Sequence, residues 1–267
     1  MNNYAIFIII LYLSSAGSTI LRLFLDSNYR PPSYLGLGLG FCGATLQIIL
    51  LYNTIITSSG INLSFFNALA LAAWSVIITL LLSSITKPVE NLGIIVFPTG
   101  AITVLLERQL PKIHLIAQSA SWQLKFHIVV SLIAYSILTL ASVQAILLAI
   151  QDHHLHHHHP GGFIRALPPL QTMEKLLFEM IGAGFILLTL SLISGFVFLD
   201  NMFTQNLVHK TILSVCGWIL FGILLLGRFR AGWRGRAAIT WTISGFVILM
   251  LAYFGSKAVL ELVLKNN

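Results

Sequence analysis

The chain has nine histidines, and imidazole serves as metal ligand, proton carrier and pH-sensitive charge. Six of them crowd into QDHHLHHHHPGG, residues 151–162, in the run 153–159. Such a tract permits metal binding by composition. It is equally a solvated, weakly cationic loop with incidental metal affinity, because histidines without fixed partners for their second ring nitrogen make poor specific sites. The other three, His114, His127 and His209, stand apart. His127 opens the apolar stretch FHIVVSLIAYSIL and His209 opens HKTILSVCGWILF. Each alone reads as a polar residue at a helix end. As a pair at similar depth on different helices, they could clamp one metal ion from both sides.

A macrocyclic iron could be held that way, and it would also need an apolar slot and cations for its carboxylates. Lys125 lies two residues before His127, and Lys210 follows His209 directly; Trp122, Phe126 and Phe203 offer flat contacts. The free ring nitrogen of each ligand needs a partner, and Glu107, Asp200 and Gln205 are the polar residues on the same side. No nucleophile elbow, phosphate-binding glycine loop or carboxylate pair is present, so the sequence gives no sign of an enzyme.

These residues must be positioned by membrane helices. Hydrophobic residues make up 57% of the chain and charged residues 9%, with mean hydropathy +0.90; a soluble domain carries roughly 25% charged residues. The fold class expected is all-α, a polytopic membrane helical bundle. Spans of about 20 apolar residues fall at roughly 4–21, 34–55, 63–85, 91–107, 126–150, 175–199, 211–227 and 238–262. The N-terminal run lacks a positive leading segment and reads as a retained first span. The fourth span is short and carries Pro98 and Gly100, so it is expected to kink or to cross incompletely. Between it and the fifth lies an interfacial segment with Ile113, Leu115, Ile116 and Trp122. No internal repeat is visible.

Lysine and arginine set the orientation. Arg22, Arg30, Lys87, Arg165, Lys175, Arg228, Arg230, Arg234 and Arg236 fall in the loops after odd-numbered spans. Arg108, Lys112, Lys125, Lys210 and Lys265 fall on the other side. The richer side is cytoplasmic, so both termini point outward, the histidine run faces the cytoplasm, and His114, His127 and His209 face out. The net charge of +7 is then anchoring charge, not a nucleic-acid surface. Cys42 and Cys216 lie inside apolar runs without C-x-x-C spacing, so neither a dithiol relay nor a zinc site is indicated. Gln47 and Gln144 are expected to bond between helices; Gly182, Ala183, Gly184, and the Ser191 and Gly195 pair signal close helix packing. Lys257 and Glu261, four apart, read as an ion pair or as part of an ion path.

Three stretches resemble a known family: FHIVVSLIAYSILTLASVQAILLAIQD at 126–152, LPPLQTMEKLLFEMIGAGFILLTLSLISG at 167–195, and HKTILSVCGWILFGILLLGRFRAGWRGRAAITWTISGFVILMLAYFG at 209–255. They are similar to the cytochrome c assembly membrane proteins, in the branch called YpjD or HemX-like, whose better-known relative is CcsA. The likeness runs from about 122 to 262; residues 1–120 match as a hydropathy pattern. It implies an N-terminal four-span region, 1–120, and an assembly-type four-helix region, 121–267. CcsA carries W-G-x-x-W-x-W-D just before the place of the seventh helix, where this chain has FTQNLVHKTILS. Its second outer histidine, beyond the last helix, has no counterpart in LELVLKNN.

The resemblance implies a non-enzymatic, multi-pass protein of the bacterial cytoplasmic (inner) membrane that binds or handles haem b in cytochrome c assembly, with membrane or periplasmic assembly partners. It makes His127 an axial ligand. Beside it, His209 is the candidate second ligand, with Lys125 and Lys210 as propionate partners and Trp122 as a flat contact. Two alternatives stay open: a membrane adaptor or regulatory subunit of another complex without haem, and a transporter using Lys257 and Glu261.

Overall fold

A backbone in hydrocarbon must satisfy its own N–H and C=O groups, and over runs of this length the helix does so within one segment. The computed structural model describes residues 2–25, 31–57, 60–110, 115–116, 122–156, 167–198 and 205–255. In chain order these form α1 (Asn2–Phe24), α2 (Ser33–Ile55), β1 (Ile56–Thr57), β2 (Gly60–Asn62), α3 (Phe65–Thr86), a 3-10 turn (Glu90–Leu92), α4 (Gly93–Gln109), β3 (Leu115–Ile116), α5 (Trp122–His156), α6 (Leu170–Phe198), α7 (Gln205–Ala231) and α8 (Arg236–Met250). The last runs into a π-helical turn, Leu251–Gly255. Eight helices are long and apolar enough to cross a membrane, as the hydropathy of the sequence predicts.

Details differ from the sequence reading. The fourth span, with Pro98 inside it, joins the 3-10 turn to give a 20-residue stretch, Glu90–Gln109, apolar enough to cross. Leu115 and Ile116, read as interfacial, pair antiparallel with β2, which pairs with β1; Ile61 stands opposite both Ile56 and Ile116. α5 continues past the expected end at 150 to His156, so His153 and His154 are helical. His114, Phe203, Asp200, the histidines at 157–159, and Lys257 with Glu261 lie outside the described residues.

The chain divides into two compact units: residues 1–118 with 160–168, and 119–159 with 169–267. In the first unit, α1 packs on α2 and α4, and α3 on α2 and α4. Gln47 ties three helices together. It accepts from the Tyr12 hydroxyl at 2.6 Å and donates to Ala70 O at 3.2 Å, interhelical bonds of the kind polar residues make in apolar surroundings. The tight approach of α1 and α2 depends on Gly43, whose missing side chain leaves room for the Tyr12 ring. At the other end of α2, Thr54 donates to buried Glu107 on α4 at 2.9 Å.

In the second unit α5 pairs along its length with α6, and α8 packs on α5 and α7. Gln144 on α5 donates to Met173 O on α6 at 3.1 Å. A Cβ at Gly184 would lie 2.6 Å from Leu138 of α5, so glycine sets how closely α6 approaches. Where α7 meets α8, Glu174 of α6 accepts from Arg228 at 2.8 Å, and Arg234 lies 3.8 Å away. The Arg228 guanidinium also lies 4.5 Å over the Phe178 ring and donates to Trp233 O. Gly232 and Gly235, at φ +65° and +52°, let the basic loop turn there.

Candidate functional site

His127 is the sixth residue of α5, and Ser131 lies one turn further on the same face. α6 brings Ser191 and Ser194 opposite them. Ser194 Oγ is 2.9 Å from His127 Nδ1, and Ser131 Oγ is 2.7 Å from Ser191 Oγ. Each hydroxyl has one proton to give. Ser194 Oγ also lies 2.8 Å from Ser191 O, and Ser131 Oγ reaches the His127 carbonyl and stands 3.5 Å from Nε2. With Ser194 donating to Ser191 O, it accepts from Nδ1–H, and the neutral ring then has its lone pair on Nε2, the tautomer a metal or an acidic donor needs.

His127, Ser131 and Ser191 line a cavity of about 200 Å³ to which all four helices of the unit contribute. Its apolar wall comes from Leu188 and Leu192 on α6 and from Leu249 and Ala252 at the end of α8. Tyr135 and Tyr253 add aromatic faces, their rings stacked at 5.5 Å and 28°. Tyr253 belongs to the π-helical turn, a geometry found often at functional sites. Lys210, Thr211 and Ser214 of α7 close the remaining side.

Of the residues singled out from sequence, His127 and Lys210 share this cavity. His209 does not line it and is exposed on α7. Successive helix residues diverge by about 100°, so the face that brings in Lys210 turns His209 away. Lys125 and Trp122 are exposed and outside the cavity, Trp122 at 68%. The partner of the far ring nitrogen is Ser194, not one of the polar residues considered; Glu107 is bonded to Thr54 in its own unit.

Ser131, Ser194, Tyr135 and Tyr253 are site residues that the sequence reading missed. Ser191 was read as a packing residue only. A signal existed in the spacing: His127 and Ser131 are four apart, and Ser191 and Ser194 three apart, the separations that put two residues on one helix face.

The donor set fits a haem: one imidazole held at Nδ1, apolar and aromatic walls, and a lysine among the lining residues. A haem bound there would supply a redox-active iron and two carboxylates.

The family described as "Cytochrome C assembly protein" matches residues 34–264. The inner membrane protein YpjD of Escherichia coli strain K12 is 32% identical over 205 residues, covering 77% of this chain and 78% of that protein. A 28.8 kDa protein of Azospirillum brasilense is 30% identical over 189 residues, 68% of this chain and 69% of that one. The cytochrome c biogenesis protein CcsA of Gloeothece citriformis is 29% identical over 98 residues, 36% of this chain and 30% of its own. No solved structure matches. The family match takes in α2 through α8 and with them every residue of the His127 cavity, and the chain is a member of the cytochrome c assembly protein family.

Proposed function

We propose that the His127 cavity binds haem b and that this protein handles haem, without catalysing a reaction, during cytochrome c assembly in a bacterial inner membrane. The observation that carries the reading is His127 lining an apolar cavity with its Nδ1 held 2.9 Å from Ser194 Oγ, an arrangement that suits Nε2 for iron. The likeness to proteins named for cytochrome c biogenesis supports it. Lys210 pairs with a propionate from the rim. His209 and Lys125, exposed outside the cavity, act at most on the part of the ligand that projects from it.

Size favours handling over permanent storage. Cavities that enclose a ligand run to roughly 300–1,000 Å³, and this one is about 200 Å³. It takes part of a macrocycle and leaves the rest reachable by a membrane or periplasmic assembly partner.

The test is the absorption spectrum of protein purified from haem-replete cells. A Soret band is expected, lost in His127→Ala, weakened in Lys210→Gln and kept in His209→Ala. A colourless protein, or a band indifferent to His127→Ala, removes the reading. The second reading is an adaptor or regulatory subunit that binds no haem. The absence of the W-G-x-x-W-x-W-D signature motivates it. A stoichiometric partner captured in mild detergent with no pigment supports it.

A further inference from the structure

The first unit has a polar site of its own where α1 ends and α4 begins. Arg22 on α1 forms an ion pair with Glu90 of the 3-10 turn, and both side chains are about one-third exposed, 33% and 30%. Two hollows meet at this pair. The smaller, about 10 Å³, reaches inward to Ser18. The larger, about 210 Å³, opens on the other side and is bordered by Thr19 and Asn91 as well as by Arg22 and Glu90. Ser18 is 5% exposed, and its hydroxyl has no partner among the described residues. A hollow of about 10 Å³ has room for a single water.

Among the described residues, the charges on these walls sum to zero. A net anion meets the Glu90 carboxylate, and a net cation meets the Arg22 guanidinium. A ligand bearing both charges gains from each. Guanidinium has five N–H donors in a planar fork suited to phosphate, and a carboxylate accepts from a primary ammonium. The depth is that of the membrane interface: Arg22 closes the span that ends at Phe24, and Glu90 opens the span that ends at Gln109.

We propose that this larger hollow binds a phosphoethanolamine head group, phosphate on Arg22 and ammonium on Glu90, carried by a lipid of the surrounding membrane. The primary ammonium is essential, because a quaternary one has no proton to give Glu90. Thr19 and Asn91 supply further polar contacts. The site is in the first unit and independent of the His127 reading.

Native mass spectrometry of the full chain, released from micelles with equal amounts of phosphatidylethanolamine, phosphatidylglycerol and phosphatidylcholine of identical acyl chains, tests it. Phosphatidylethanolamine is expected to be retained preferentially. Arg22→Gln and Glu90→Gln are each expected to reduce retention roughly tenfold, the effect of about 1.4 kcal/mol. Asn91→Ala, which leaves the ion pair intact, weakens it less and serves if either charge variant fails to fold. Soluble phosphoethanolamine in excess displaces the lipid if the head group is what is recognised. Equal retention of phosphatidylcholine, preference for phosphatidylglycerol, or retention unchanged in Arg22→Gln and Glu90→Gln overturns the proposal. So does a lipid that soluble phosphoethanolamine fails to displace.

Discussion

The Ser194 hydroxyl is the hydrogen-bond partner of His127 Nδ1. Ser194→Ala removes that partner and frees the ring to change tautomer or turn. Loss of such a supporting bond costs about 10–100-fold in metal affinity, whereas its contribution to folding is about 1 kcal/mol. Haem titration of the detergent-solubilised variant is therefore expected to show a large fall in affinity with a small fall in melting temperature. Equal and small effects on both would mean the bond is only structural. Glu107 makes the opposite case. Its Oε1 accepts from Thr54, but its buried Oε2 has no partner among the described residues, and burying such an atom is costly. Thr54 retains Leu51 O as an acceptor at 3.3 Å when the carboxylate is gone. Glu107→Met, close in volume, is expected to melt at the same temperature or higher; a clear decrease would show that the carboxylate has a partner or role not described here.

At the scale of elements, the α5–α6 pair builds the site, and its spacing rests on Gly184. Gly184→Val would push into Leu138. Overpacking of this kind costs about 1–3 kcal/mol, and it also separates His127 from Ser194 ten residues further along α6. Lower thermal stability together with weaker haem binding is the expected result, measured by melting curves and titration on one preparation. Hydropathy alone revealed all eight spans, because each must be apolar over about 20 residues to sit in lipid. Gln47 and Gln144 were legible as interhelical bonds for the same reason: a buried amide in a span has few other partners. The site was legible only in part. His127 and Lys210 were visible as types, but helix phase, which turns Lys210 in and His209 out, is set by which neighbour packs where. Ser194 and Tyr253 reach the site through tertiary pairing that their local sequence does not encode.

Across the whole molecule, orientation comes from nine Lys and Arg residues on one side against five on the other. It predicts that a C-terminal reporter active only in the cytoplasm stays silent, while one inserted in the 228–236 loop is active. The reverse pattern would put the His127 cavity on the cytoplasmic side and require another account of its ligand. On the same charge count, Arg22 and Glu90 are expected at the cytoplasmic leaflet.

α5 links the two surfaces directly. Its 35 residues make a rod of about 52 Å at 1.5 Å per residue, against a hydrocarbon thickness near 30 Å. His127 sits near one tip and His153 near the other. A shaft of that length outreaches the hydrocarbon layer by about 20 Å, so its two ends stand among head groups and water, where imidazoles meet solutes that the bilayer core excludes.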